Sequence, residues 1–561
     1  MRRANKALCL LLAVTLSGCG TRATIPFYRQ TNHPVEGDDA ALIVRREGTP
    51  RHKARAGQGR GRVWLSKPFD RFLRFVGPFL PSDVAERNRR RVENVSTGLY
   101  DPQALANLTE DPFPDVDVVL CLSGGGLRAA NLSAGVMLEL SRIPVKTPDG
   151  RQVSLLDTVD TVSSVSGGSF AAAFWLYHRA VFAGNLDQRN ARTHRGLIEA
   201  AMARNLGGTL IWNLLLVNKI STLVRFTTYA SRTDLYSNMI EYNLIRPQRV
   251  EKLESTLLRR GWRRNPVLYH VVEPVRAFLS LVAPVNLHDQ YLLRGRGRTF
   301  DDLYLEDPVE RGVRYPLRPQ WLINATLYNA PVDNNAFLFD LASFERMRSD
   351  WLDYRVSDAV AASAAFPVFF APVTLRDWSN RKPSYLFLLD GGVSDNLGLN
   401  GADSVIAASD RMRRKVIIVV DASTRAGWVV RSRPGRPSLF DVSDRALDRY
   451  MSEVRRQRIE EFRKRSATEN LRFFHLSIRP EDGPPLPKDQ ADAVKAANSV
   501  STGLSISPEE QDTLFKAARI LVGREGGDLI RAVTGADGGP VPPKSAPAAA
   551  PARGAGEERP L

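Results

Sequence analysis

Cysteine is almost missing from this chain. Only Cys9, Cys19 and Cys121 occur in 561 residues, which excludes a disulfide framework and leaves the fold to rest on the size of its core. Beyond the N-terminus there is no apolar run of about 20 residues, so a polytopic helical membrane protein is excluded as well. Zinc-ligand spacings, aromatic RNA-binding signatures and internal repeats are also missing. The excess of 78 Lys+Arg over 61 Asp+Glu, a formal charge of +17, therefore fits an anionic lipid surface better than nucleic acid. What is present is an ordinary globular composition, 43% hydrophobic and 25% charged, on a chain long enough for one large α/β domain with insertions or for two domains.

Arg2, Arg3 and Lys6 precede the apolar residues 7–16, the pattern of an export signal over residues 1–18. Leu16-Ser17-Gly18-Cys19 resembles the bacterial lipoprotein processing box, in which the Cys sulfur receives a diacylglyceryl group and becomes the new N-terminus. Gly20 after it, rather than Asp, resembles lipoproteins sent to an outer membrane. The implied location is the cell envelope, with the protein held by a lipid anchor. Residues 19–114 read as a tether. Within them 45–62 is strongly basic with Glu47 as its one acid, and 63–80 mixes Trp64, Phe69, Phe72 and Phe75 with basic residues that suit a lipid surface or the main domain.

A catalytic region is expected over 115–480. Residues 116–122 form an apolar run that ends in a glycine cluster, as a strand buried on both faces would. Further strands are expected at 321–327, 385–389, 415–420 and 473–478, and helices at 353–365 and 444–463. Such alternation predicts an α/β fold with a largely parallel sheet between helices. The pattern loosens over about 185–318, which reads as a long insertion or lid. Residues 481–534 read as a C-terminal helical extension and 535–561, rich in Pro and Ala, as a disordered tail.

Three short segments carry chemistry. Ser123-Gly124-Gly125-Gly126-Leu127-Arg128 opens a helix-compatible stretch, and glycine N–H groups at a helix N-terminus form an anion site. That site suits a phosphate or the oxyanion of acyl transfer, although the Lys-Ser/Thr end of a nucleotide loop is missing. In Ser164-Val165-Ser166-Gly167-Gly168, a strand-like run meets an apolar helix. A nucleophile elbow has this order, with Ser166 at its apex and small residues two before and two after; Ser164 stands where Gly is usual, and Gly168 fits. In the third segment, 388–398, an apolar strand ends in Asp390 followed by Gly391 and Gly392. An acid so placed can serve a Ser hydroxyl as general base or simply cap a strand. Ser166, Asp390 and His475 also stand in the chain order of an ordinary α/β-hydrolase triad, while Asp421 reads as a strand-end residue.

Together with Ala362-Ser363-Ala364-Ala365-Phe366-Pro367, these segments in this order resemble the patatin-like phospholipases, and the Ser-Gly-Gly-Gly-x-Arg form also resembles the related cytosolic phospholipases A2. The resemblance covers roughly 115–422. It implies a three-layer α/β/α fold, a Ser166–Asp390 dyad without a catalytic His, an oxyanion hole at Gly124, Gly125 and Gly126 supported by Arg128, and hydrolysis of acyl esters of membrane lipids with no metal or organic cofactor. Two alternatives stand beside it, the triad with His475 and a catalytically silent envelope lipoprotein that binds a lipid or protein partner. Oligomeric state is not indicated by the sequence.

Cys19→Ser is expected to abolish labelling by radioactive palmitate and to release the exported protein from membranes, since each buried acyl methylene contributes about 0.8 kcal/mol to anchoring. Retention of the variant on membranes in high salt would place the anchor elsewhere.

Overall fold

The computed structural model describes residues 112–535 apart from 183–187, 204–231, 246–297, 301–302, 304–318, 332–334, 352–353, 368–369, 381–383 and 425–438. The expected signal segment, Cys19, nearly all of the tether, most of the insertion and the tail lie outside the described residues. Among the described residues no helix is long and apolar enough to cross a membrane.

All seven residues of β1 (Val116–Leu122) are buried. Val116, Val118, Leu120 and Leu122 face one apolar core, and Val119 and Cys121 face the other. In β9 (Arg414–Asp421), Val416, Ile418 and Val420 face the first core, while Ile417 and Val419 face the second. A strand is apolar at consecutive positions when both faces of its sheet are covered, and each Val or Leu so buried contributes about 1.5–3 kcal/mol. Helices α1 (Gly126–Leu140), α2 (Gly167–Tyr177), α3 (Val356–Ser363) and α6 (Pro508–Thr534) contribute to the first core. Helices α4 (Leu399–Ala408) and α5 (Leu439–Thr468) contribute to the second. The result is the expected α/β/α arrangement.

The remaining strands are β2 (Pro144–Lys146), β3 (Gln152–Ser154), β4 (Thr161–Val165), β5 (Gln320–Leu327), β6 (Ala336–Phe339), β7 (Val373–Asp377), β8 (Ser384–Asp390) and β10 (Leu471–Ser477). The main sheet runs β10-β9-β1-β4-β5-β8-β7, with β6 also on β5, while β2 and β3 form a small separate pair. From β10 to β5 every pairing is parallel. The pairings of β6 and β8 with β5, and of β7 with β8, are antiparallel. The expected parallel sheet thus holds for its greater part, and the strand that ends in Asp390 runs against it.

Residues 481–534 are integral to the fold. A Ser507–Glu510 capping box with Pro508 at the first helical position starts α6. Its Ala518 lies so near α1 that a Cβ on Gly135 would come within 2.9 Å of the Ala518 methyl. On the other face, Arg458 and Arg465 of α5 both pair with Asp403 of α4.

The first turn of α2 crosses the end of β1 so closely that a Cβ on Gly168 would stand 2.5 Å from the Leu122 carbonyl oxygen and 2.7 Å from that of Ser123. Both obstacles are backbone. Gly168→Ala is therefore expected to lose more than about 3 kcal/mol in urea unfolding. Ser164→Ala removes the acceptor of the buried Trp321 Nε1–H and should cost about 1–3 kcal/mol while still folding. A Gly168→Ala protein as stable as the wild type would contradict this packing.

Candidate active site

Ser166 and Asp390 meet because β4 and β8 end on the same edge of β5. Ile323 and Asn324 pair with β4 and with β6, and Ala325 and Thr326 pair with β6 and with β8. A residue in a sheet has one neighbour on each side, so β4 and β8 both lie opposite β6. Val165, the last residue of β4, pairs with Asn324, and Asp390, the last of β8, pairs with Ala325. The two strands run toward each other and stop one β5 residue apart.

Ser166 follows β4 at φ 48 and ψ −118. Among the described residues, Arg348 is the only other non-glycine with positive φ. Such backbone is disfavoured for an L residue, and here it turns the Ser166 side chain out of the strand. The conformation is held from the first turn of α2, where Ser169 N–H donates to the Ser166 carbonyl at 2.9 Å, and by Ser166 N–H donating to Ser363 Oγ at 2.9 Å. Gly167 cannot carry a side chain, because its Cβ would fall 1.9 Å from the Gly126 carbonyl oxygen. Ser164 presents no such conflict. Its buried hydroxyl accepts from Trp321 Nε1 at 2.8 Å and hydrogen-bonds Ser169 Oγ at 2.9 Å, so this chain fills with a satisfied hydroxyl the position where the elbow usually has Gly.

Asp390 is buried at the end of β8, facing the end of β4 that Ser166 follows. Burial raises that carboxyl to about 6, against the opposing pull of the Gly392 N–H and the Ser166 hydroxyl. The Gly392 N–H reaches Asp390 Oδ1 at 2.8 Å. The Asp390 backbone is tied on both sides, its N–H to Ala365 O at 3.0 Å and its carbonyl to Thr326 Oγ1 at 2.8 Å. Gly391 N–H donates to Ser363 O at 3.1 Å, and a Cβ on Gly391 would strike the Asn324 carbonyl oxygen at 2.4 Å. Ser363, at the end of α3, thus contacts both Ser166 and the acid loop, which gives the Ala362–Pro367 stretch its place in the site.

The glycine loop lies against Ser166, with the direction of a Gly124 Cβ ending 3.4 Å from Ser166 Cβ. The Gly124 N–H is already engaged by Asn396 O at 3.0 Å, so of the three expected glycines this one enters through its missing side chain and not as a donor. Gly125 (φ 137) and Gly126 (φ 59) take backbone that L residues rarely adopt. Among the described residues no acceptor engages their N–H groups, which stand at the N-terminus of α1 beside the N-terminus of α2. Arg128 is buried and donates to Ala422 O at 2.8 Å and to Val500 O at 2.9 Å. Burial lowers its guanidinium to about 10. Its role is to brace the loop against the end of β9 and the segment before α6, where Gly503 O also accepts Leu127 N–H at 2.8 Å.

His475 is elsewhere. It lies on β10, separated from β4 by β9 and β1, a distance of about 14 Å at ordinary strand spacing, and its Nε2 contacts Asp421 Oδ2 at 2.9 Å. The triad alternative fails on this placement. Asp421, which ends β9, is more than a strand-end residue. Burial alone would raise its carboxyl, but Arg455, His475 and Ser423 hold it well below the usual carboxylate range. Asp421, His475 and Asp482 are close enough to share a cation, and the Arg455 guanidinium already bridges the two carboxylates. Reading the sequence placed Ser363 in a motif but gave no individual role to it or to Trp321, Asn324 or Asn396, because each acts on a residue far away in the chain.

The chain is similar over 81% of its length to human GIVD cytosolic phospholipase A2, with 13% sequence identity, a TM-score of 0.36 and 64% of that chain covered. It therefore spans less than two thirds of that protein. No curated protein sequence matches it. The patatin-like phospholipase model matches residues 120–403, just over half of the 561 residues, and the matched span contains the glycine loop, the Ser166 elbow and Asp390: the chain belongs to the patatin-like phospholipase family.

Proposed function

We propose that this protein is a serine acyl hydrolase that cleaves acyl esters of membrane lipids through a Ser166–Asp390 dyad. The observation that carries the reading is the convergence, at the facing ends of β4 and β8, of Ser166 on strained backbone and a buried carboxyl raised to about 6. A base with that value is mostly ionised at neutral pH and still accepts a proton readily. Among the described residues no histidine contacts either group.

In the proposed reaction Ser166 Oγ attacks the ester carbonyl carbon as its proton passes to Asp390. The carbonyl oxygen becomes an oxyanion facing the N–H groups of Gly125 and Gly126, favoured further by the positive ends of α1 and α2. Collapse breaks the bond to the alcohol, which leaves with the proton from Asp390. Water, deprotonated by Asp390, then hydrolyses the acyl-Ser166 ester and restores the hydroxyl. We further propose that lipidation at Cys19 holds this chemistry at the envelope membrane, in keeping with the N-terminal processing box and the basic tether.

Asp390→Asn and His475→Ala separate the dyad from a triad on a soluble aryl ester, where membrane docking does not intervene. Asp390→Asn is expected to be nearly inactive, and His475→Ala to keep most of its activity. The same Asp390→Asn variant should gain stability. A carboxyl moved from 3.8 to about 6 in the folded state stabilises the fold while neutral, and that contribution is lost as pH rises through about 6, roughly 3 kcal/mol in all. Thermal unfolding should thus show the variant above wild type at about pH 8 and level with it at about pH 4. A folded but dead His475→Ala enzyme, or an active Asp390→Asn enzyme, would overturn the assignment.

A further inference from the structure

Asn396 stands between the glycine loop and the acid loop. Its main-chain oxygen accepts the Gly124 N–H at 3.0 Å, and its Nδ2 donates to Ser423 Oγ at 3.0 Å. Its Oδ1 occupies the space that side chains on two glycines would need, 2.4 Å from a Cβ on Gly124 and 2.7 Å from a Cβ on Gly392. Gly392 is also the residue whose N–H holds Asp390 Oδ1. Both glycine-bearing loops are therefore shaped around one amide, which the hydroxyl of Ser423, just beyond β9, fixes from behind. Leu397 and Gly398 are buried, whereas Asn396 retains partial exposure, as expected of a side chain at the lip of the site.

We infer that Asn396 is a positioning residue of the active site, its side chain being the strut that sets the distance between the Gly125–Gly126 donors and the Ser166–Asp390 pair. This inference rests on the hydrolase reading above. Catalysis of this kind is sensitive to the placement of donors around the developing oxyanion, and a shift of about 1 Å in such a constellation costs on the order of 10²-fold in rate. A strut that acts in this way affects turnover and leaves binding of a small ester unchanged.

The geometry provides its own double-mutant cycle. The conflict within 3 Å that a methyl on Gly124 would meet is with Asn396 Oδ1, the next contacts being at an ordinary 3.4 Å, so Gly124→Ala works by expelling the Asn396 amide. On a soluble aryl ester, Gly124→Ala, Asn396→Ala and the double variant are each expected to lose about 10²-fold in kcat with KM unchanged, the double being no worse than either single. Asn396→Asp keeps the shape and tests position separately. Oδ1 of residue 396 and Oδ1 of Asp390 both adjoin the Gly392 Cβ direction, at 2.7 and 3.1 Å, so a carboxylate at 396 lies within the ~6 Å over which like charges raise a pKa. The acid limb of its pH–rate profile should move to higher pH. Near wild-type kcat in both single alanine variants, additive losses in the double, or an unmoved acid limb in folded Asn396→Asp would overturn the inference. Absence of ester hydrolysis by the wild type would instead defeat the hydrolase reading beneath it.

Discussion

The structure depends on the sharing of one edge of β5 by two strands that run toward each other. Because β4 stops opposite Asn324 and β8 opposite Ala325, the residue that follows β4 and the residue that ends β8 come together without any long loop to bring them there. The register is fixed locally. Asn324 Nδ2 donates to Ser163 Oγ at 2.9 Å and to Ser164 O at 3.0 Å, tying β4 to β5, while Thr326 Oγ1 donates to Asp390 O, tying β8 to the same strand. A slip of one residue in either strand would turn its side chains to the opposite face and separate the pair.

Close approach is the second constraint. Two helices begin at the site, and the backbone there is so closely packed that Gly167, Gly168 and Gly391 each face a carbonyl oxygen of the glycine loop, β1 or β5 where a Cβ would be. The compactness places two N-terminal helix ends beside Ser166 and encloses Asp390, and enclosure raises the acid's affinity for a proton. The features that make the site costly to the fold, a strained serine and a buried acid, are the same ones that suit it to take a proton from a hydroxyl. Their cost is met by the core on either side of the sheet and by the Asp421–Arg455–His475 cluster, which anchors the end of β9 where Ala422 and Ser423 hold the glycine loop and Asn396.

Much of this was legible in the sequence where the signal is local. The apolar run 116–122, the strand, turn and helix around Ser166 and the strand ending in Asp390 are contiguous patterns, and each forms the element its pattern predicts. Their meeting was legible only through the family resemblance, since no spacing reveals that β8 runs antiparallel. Ser164 looked like a departure because its partner Trp321 lies on another strand. Gly124 read as a third donor, but its N–H is committed to Asn396, a contact across more than half of the catalytic region. His475 stands after Ser166 and Asp390 in the chain order of a triad, and only the strand order shows it three places away from Ser166. Residues 481–534 read as an extension because their apolar positions have no local partner; the partner is α1, and Val500 and Gly503 brace the loop that α1 begins with.

In the proposed mechanism Ser166 is made nucleophilic by Asp390. The most direct measurement is the rate at which a fluorophosphonate inactivates the wild-type protein across pH, with the modified peptide mapped by mass spectrometry. A single adduct on Ser166 is expected, formed at a rate that falls as pH drops through about 6, the value to which burial raises Asp390. An adduct on another residue, or a Ser166 labelling rate that does not change through that range, would contradict it.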